Sequence, residues 1–304
     1  MVPIPQYPLY SAAIKLYGGS LVGYYLDEPS GWQFNVEELR RSVRQARKEG
    51  KDVRALVFIN PGNPTGQCLS RATLESLVKF AYEERLVLLA DEVYQENIFQ
   101  EERPFVSMKK VLMDMGGEIS GEQELISFHT VSKGVYGECG LRGGYMEAVN
   151  IHPGTIDELY KISSINLSPN TIGQIALSLM CNPPKKGDES FAQYMNEKDT
   201  LHQSMVRRAH IMTDGFNSLE NVSCVFTEGA MYSFPRLHLP PKAVEAAKKA
   251  GKAPDTFYCL QLLEETGISV VPGSGFGQKE GEYHLRTTIL PSEEKMKDIV
   301  ERYK

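Results

Sequence analysis

Lys133 stands in the run Ser127-Phe128-His129-Thr130-Val131-Ser132-Lys133-Gly134, behind a strand-like apolar stretch and ahead of a glycine-rich loop that carries Arg142. An amine between a hydroxyl-rich turn and a fixed cation is a candidate Schiff-base lysine. A free lysine amine titrates near 10.4 and is a poor nucleophile at neutral pH, so neighbouring cations and partial burial must activate it. The loop from Gly134 to Gly144 holds five glycines in eleven residues, which lets backbone approach a ligand closely. Thr130 and Ser132 offer hydroxyls there, and Arg142 offers a planar fork suited to a phosphate monoester. On this segment alone the plainer reading is a lysine and an arginine bordering a loop.

Three more groups have chemistry-bearing placements. Asn60-Pro61-Gly62-Asn63-Pro64-Thr65-Gly66 follows the apolar run ending at Ile59. Its residues favour turns for local reasons, yet an Asn63 amide on a proline-stiffened loop can also donate to an oxygen of a bound aromatic cofactor. Asp91 follows Leu86-Val87-Leu88-Leu89-Ala90 directly. It reads either as an N-cap for the next helix or as a partner for a protonated ring nitrogen, where the attraction is about 4 kcal/mol at about 4 Å and an effective dielectric near 20. Tyr94, three residues on, can reach the phenolic oxygen of the same ring. Arg286 lies in the otherwise apolar strand Tyr283-His284-Leu285-Arg286-Thr287-Thr288-Ile289, where a guanidinium implies an exposed face or an anionic partner.

The elements that must position these groups alternate along the first half of the chain. Strand-like runs fall at 20–25, 53–59, 86–90, 125–128 and 143–146, with helical periodicity near 35–48, 70–84 and 106–113. This alternation predicts a mostly parallel sheet covered on both faces, with ligands at the carboxyl ends of its strands. Asn63, Asp91 and Lys133 all follow such ends. Two helices near 154–181 and a long polar helix over about 189–219 come next. Beyond them, short strands at 222–226, 231–234, 268–271 and 283–289, with helices near 241–250 and 256–265, predict a smaller α+β domain. The expected division is 1–189 for the cofactor-binding part and 190–304 for the small C-terminal part. The opening run from Val2 to Tyr10 reads as an extended segment entering a helix, with no element before it, and residues 293–304 read as an amphipathic helix. Both ends suggest a chain shorter than its complete fold.

Composition excludes several classes. Lys plus Arg is 33 against 39 for Asp plus Glu, a net charge of -6 without basic clustering, which argues against nucleic-acid binding. The cysteines, Cys68, Cys139, Cys181, Cys224 and Cys259, have no paired spacing for a metal or dithiol site, so no metal is expected and a reducing intracellular setting fits. No apolar run approaches the length of a membrane span. Which compartment holds the chain is left open.

Together, Asn-Pro-Gly-Asn-Pro-Thr-Gly, Asp-Glu-Val-Tyr, Ser-Lys followed by Gly-Leu-Arg-Gly-Gly, and the late strand arginine resemble the fold-type I pyridoxal-phosphate aminotransferases in order and spacing. The phrases Ile4-Pro5-Gln6-Tyr7-Pro8-Leu9-Tyr10, Glu228-Gly229-Ala230-Met231-Tyr232 and Val271-Pro272-Gly273-Ser274-Gly275-Phe276-Gly277-Gln278 look like the alanine aminotransferase subfamily. His129 to Lys133 and Leu285 to Leu290 look closest to its glutamate-glyoxylate members. The resemblance implies pyridoxal 5'-phosphate as cofactor. Lys133 would form the internal aldimine and move the α-proton, and Asp91 would hold the ring nitrogen protonated. Asn63 and Tyr94 would bond the ring oxygen, Tyr7 would stack on the ring, and Thr130, Ser132 and Arg142 would hold the phosphate. Arg286 would clamp the substrate carboxylate. It also implies a homodimer acting on alanine or glutamate with pyruvate, 2-oxoglutarate or glyoxylate, and an N-terminal region beyond this chain. The competing expectation is a catalytically silent fragment or isoform of such an enzyme.

Overall fold

A computed structural model describes residues 1–303. The first half builds a four-stranded sheet and a small two-stranded one. Strands β1 (Val2–Ile4) and β2 (Gly23–Tyr25) flank helix α1 (Leu9–Leu16), and helix α2 (Val36–Lys48) precedes β3 (Ala55–Ile59). Then come α3 (Arg71–Glu84), β4 (Val87–Asp91), α4 (Met108–Met115), α5 (Gly117–Glu122), β5 (Leu125–Thr130) and β6 (Gly144–Val149). The order β3-β4-β5-β6 has parallel pairing from β3 to β5 and an antiparallel β6 at its edge. This is the mostly parallel α/β sheet that the strand-helix alternation predicts.

Local chemistry explains the boundaries. Asn35 caps α2 by accepting from the amides of Glu37 and Glu38, and Arg47 and Lys48 close it on the side where the helix dipole favours cations. Ser70 caps α3 by accepting from Thr73 N. The α2 and α3 faces bury Leu39, Val43, Leu77 and Phe80 against Leu56, Phe58 and Leu88 of the sheet, one continuous core in which each large side chain contributes about 1.5–3 kcal/mol.

The second half is built differently. Helices α6 (Pro153–Ser164) and α7 (Thr171–Cys181) lead into the long α8 (Phe191–Asn217). Strands β7 (Val222–Ser223), β8 (Tyr232–Ser233) and β9 (Arg236–Leu237), helices α9 (Pro241–Lys249) and α10 (Pro254–Thr266), strands β10 (Val271–Pro272) and β11 (Leu285–Thr288), and α11 (Glu293–Tyr303) complete it. Two small antiparallel sheets result, β10-β11-β8 and β7-β9. They pack with α8 and α11 into a second core around Met205, Met212, Phe216, Leu285, Ile289 and Met296.

Several expectations change. The opening run is not merely extended, because Val2–Ile4 pairs in parallel with β2. The pairing survives Pro3 and Pro5 because the bonds run through Val2 N to Val22 O and Leu26 N to Ile4 O, at positions where proline's missing donor is not needed. The helix expected from 106 begins at Met108, where Ser107 accepts from Lys110 N as its cap, and α5 had no counterpart in the sequence reading. The strand expected at 268–271 moves to Val271–Pro272, since Gly267 ends α10 in a left-handed conformation and the chain needs three residues to regain the sheet. The reading of the last helix extended to Lys304, which lies outside the described residues.

Candidate active site

The turn after β3 places Asn63. Asn63 is buried, and its Oδ1 accepts from Arg286 Nη1 at 3.1 Å, joining residues 223 apart in sequence. This orientation leaves the Asn63 Nδ2 hydrogens to donate elsewhere. Arg286 reaches the turn from β11, with its guanidinium held between two rings, 4.3 Å from the Tyr232 centroid and 4.6 Å from that of Phe276. Burial pushes its affinity for a proton down, partly opposed by the fields of Tyr232, Tyr94 and Tyr7. Its Nε is buried and has no hydrogen-bond partner among the described residues. A cation so placed has the geometry to receive an anion with a planar face.

Asp91 ends β4, and its Oδ2 accepts from the Tyr10 hydroxyl at 2.6 Å. Burial lifts the Asp91 carboxyl above its ordinary range, while the hydrogen bonds from Tyr10 and from Val93 N pull it back. Tyr10 sits in α1 with Tyr7 just ahead of it, the two rings meeting edge to face at 6.4 Å. Tyr7 itself is exposed. Tyr94 is buried, its hydroxyl 3.0 Å from that of Tyr232, and the two rings meet at 85°. Burial and Tyr232 raise the Tyr94 phenol well above its ordinary range, so it stays protonated and able to donate.

Lys133 follows β5 in a turn that Gly134 completes at a φ of 70°, a conformation glycine adopts without strain. It lines a cavity of about 300 Å³ with Ser132, Gly134, Asn97 and Met231, the last being the neighbour of Tyr232. It also borders a second cavity of about 290 Å³ with His129, Gln95 and Tyr145. Thr130 Oγ1 donates to Gly143 O at 2.6 Å and accepts from Ser132 N at 3.1 Å, so it ties the two ends of the glycine-rich loop together. Arg142 adopts a left-handed conformation, is exposed, and points its Nη1 at Cys139 O at 2.9 Å and at the Cys139 sulfur at 3.4 Å. The structure thus joins Asn63, Arg286, Tyr94 and Tyr232 in one cluster and Asp91, Tyr10 and Tyr7 in another beside it. Lys133 and Ser132 share a cavity wall, while the Arg142 guanidinium is engaged within its own loop.

These donors fit pyridoxal 5'-phosphate. A carboxylate at a strand end, a free amide and a protonated phenol match a ring nitrogen and ring oxygen, an amine stands on a cavity wall, and the orphaned Arg286 Nε awaits an anion. The sequence reading did not single out Tyr10, Tyr232 or Phe276. The signal available for Tyr10 was its spacing of three from Tyr7 across the start of α1.

The comparisons with known proteins agree. The family model for aminotransferase class I and II matches residues 1–302, and the chain belongs to that pyridoxal-phosphate-dependent family. Over 304 residues the chain is 64% identical to glutamate-glyoxylate aminotransferase 2 of Arabidopsis thaliana, covering all of this chain and 63% of that protein. It is 54% identical to a probable mitochondrial alanine aminotransferase of Dictyostelium discoideum, covering 99% of this chain and 57% of that one. The chain therefore spans roughly three fifths of the length of these relatives. Among solved structures, the alanine aminotransferase from Pyrococcus furiosus superposes with a TM-score of 0.80 at 26% identity, covering 99% of this chain and 68% of that one. No helix among the described residues is long and apolar enough to cross a membrane.

Proposed function

We propose that this chain carries the catalytic residues of a transaminase that moves the amino group of alanine or glutamate to pyruvate, 2-oxoglutarate or glyoxylate. The observation that carries the reading is the Arg286 Nη1 to Asn63 Oδ1 hydrogen bond within the Tyr232–Phe276 sandwich. It sets a carboxylate receptor directly against the turn whose amide is free to meet a cofactor oxygen.

In this reading Lys133, Asp91, Asn63, Tyr94, Tyr7, Thr130, Ser132 and Arg142 hold pyridoxal 5'-phosphate. When bound, the cofactor supplies the carbonyl and the electron-accepting ring that transamination needs. With the cofactor bound, Asp91 would face the ring nitrogen and keep its proton in place, with Tyr10 fixing the carboxylate's direction. Asn63 Nδ2 and the Tyr94 hydroxyl would donate to the ring oxygen. The Arg286 fork takes the substrate α-carboxylate and so turns the α-hydrogen toward Lys133, whose Nζ removes and later returns that proton as general base and acid. Thr130 holds the glycine-rich loop so that Ser132 can donate to a phosphate oxygen, with Arg142 released from Cys139 to assist it. We further propose that 1–189 and 190–304 act as a cofactor-binding part and a small domain in an intracellular homodimer. The two hydrophobic cores support this division for most of their residues, although Phe234 and Phe276 pack into the first and Tyr94 and Phe99 into the second.

The test is to load the purified chain with pyridoxal phosphate and assay alanine with glyoxylate and with 2-oxoglutarate. A visible cofactor band and turnover, both lost in Lys133→Ala, support the reading. A band without turnover favours the competing reading of a catalytically silent chain, and no band overturns the cofactor site.

A further inference from the structure

Arg286 is placed by the ring of Phe276, and Phe276 belongs to the segment Gly273–Gly277, which holds three glycines in five residues. Such a segment has little intrinsic stiffness, so an aromatic ring on it stays over a guanidinium only if the segment is pinned. The pins are polar, and two of them, Asp255 and His284, are buried. Asp255, fully buried in α10, accepts from Ser274 N at 2.6 Å and from Gln278 Nε2 at 3.0 Å. Because Asp255 Oδ2 accepts from Nε2, the Gln278 amide orientation is set, and Gln278 Oε1 is left to accept from His284 Nδ1 at 3.1 Å. The other ring nitrogen, Nε2, faces Glu28 Oε2 at 3.2 Å, although Glu28 lies 256 residues earlier. Glu28 Oε2 also accepts from Arg236 Nη1 at 3.0 Å, and Arg236 reaches Glu282 at 3.1 Å.

The His284 ring is itself immobilised. It is buried, stacks on Phe234 with centroids 4.8 Å apart and planes 3° apart, and meets Trp32 edge to face at 5.5 Å. Phe234 in turn meets Phe276 at 5.9 Å. His284 O accepts from Gly273 N at 2.7 Å, so this one residue holds the glycine segment through both backbone and side chain, two positions before Arg286. From the opposite side, Gln6 N, next to Tyr7, donates to Phe276 O at 2.8 Å.

We propose that Asp255, Gln278, His284 and Glu28 form a positioning network that holds Phe276 against Arg286, and that filling the Arg286 site is felt at Trp32 through it. The proposal rests on the reading of Arg286 as the carboxylate receptor. None of the four touches substrate; they act through Phe276. Each link replaces stiffness that the glycine segment lacks, so breaking one lowers carboxylate affinity while leaving the Lys133 end of the site alone.

The experiment titrates the cofactor-loaded chain with pyruvate and with 2-oxoglutarate. It follows the emission of Trp32, the only tryptophan in the sequence, alongside the cofactor absorbance. The unmodified chain is expected to give a saturable emission change. His284→Phe keeps the ring stack but removes both side-chain hydrogen bonds, and it should weaken the oxo acid about tenfold and remove the emission change, with the cofactor spectrum unchanged. Gln278→Met, at a half-buried position, should do the same if His284→Phe folds poorly. Glu28→Gln, which keeps a hydrogen-bonding group, should cost only about twofold to threefold. Unchanged oxo-acid affinity in folded His284→Phe or Gln278→Met, with affinity lost in Arg286→Gln, overturns the network. Unchanged affinity in Arg286→Gln overturns instead the carboxylate reading on which the network rests.

Discussion

The Tyr10 hydroxyl donates to Asp91 Oδ2 at 2.6 Å, so a helix near the start of the chain orients the carboxylate at the end of β4, 81 residues later. Tyr10→Phe removes one charge-assisted hydrogen bond and leaves Asp91 with only the longer bond from Val93 N. The loss of about 1.5–3 kcal/mol expected for such a bond should weaken pyridoxal phosphate binding by roughly tenfold or more, measured by absorbance titration. The Asp91 carboxyl should also titrate still higher, because the Tyr10 bond opposes the effect of burial.

Lys133→Ala should leave the fold intact. No hydrogen bond or ion pair to the Lys133 amine is found among the described residues, so the thermal midpoint should move by no more than about 2 °C. The visible band of the bound cofactor should vanish. Borohydride treatment of the unmodified loaded chain, followed by peptide mass analysis, should place the cofactor mass on the peptide containing Lys133 and on no other.

Arg286→Lys is expected to behave as a severe change despite keeping the charge. The planar guanidinium fills the space between the Tyr232 and Phe276 rings and donates to Asn63, and an ammonium can neither stack there nor bond a carboxylate with two parallel donors. Steady-state assays should show KM for alanine and for the 2-oxo acid raised about tenfold or more. The absorbance of the bound cofactor should be little altered.

Glu92 gives a pH prediction with a definite sign. It is buried, accepts from Met108 N at 2.7 Å, and its carboxyl is pushed up to about 7, mainly by burial and further by Asp91 and Glu147. The folded state thus holds the proton more tightly than the unfolded chain does. This contribution to stability is fully present below the unfolded value, near 4.5, and is lost as pH rises through about 7. Glu92→Gln keeps the acceptor and removes the ionisation. Urea unfolding should show the variant gaining up to about 3 kcal/mol over the unmodified chain at pH 8 relative to pH 5. An equal difference at the two pH values would contradict it.

Much of the fold was legible in the chain. Val57-Phe58-Ile59 and Leu86 to Ala90 are apolar without alternation, as strands covered on both faces must be, and α2 and α3 show their caps at Asn35 and Ser70. The strands beyond residue 222 were legible as regions but not as boundaries. β7, β8 and β9 are two residues each, too short for periodicity to define, and their register comes from partners elsewhere.

For the candidate site the division is sharper. Local pattern alone set Asn63, Asp91 and Lys133 behind the carboxyl ends of successive parallel strands, because strand-helix alternation puts those loops on one edge. It also marked Arg286 as a cation that needs either an exposed strand face or an anionic partner. Tertiary structure decided what each side chain meets. Arg286 donates to Asn63 from 223 residues away, and His284 meets Glu28 from 256 away. Tyr94 faces Tyr232, and the Arg142 fork turns toward Cys139. Hydrophobic period and turn chemistry are properties of neighbours in sequence, so they specify elements and the ends of elements. A hydrogen bond between elements depends on how two cores pack against each other, and that packing exists only once both are folded.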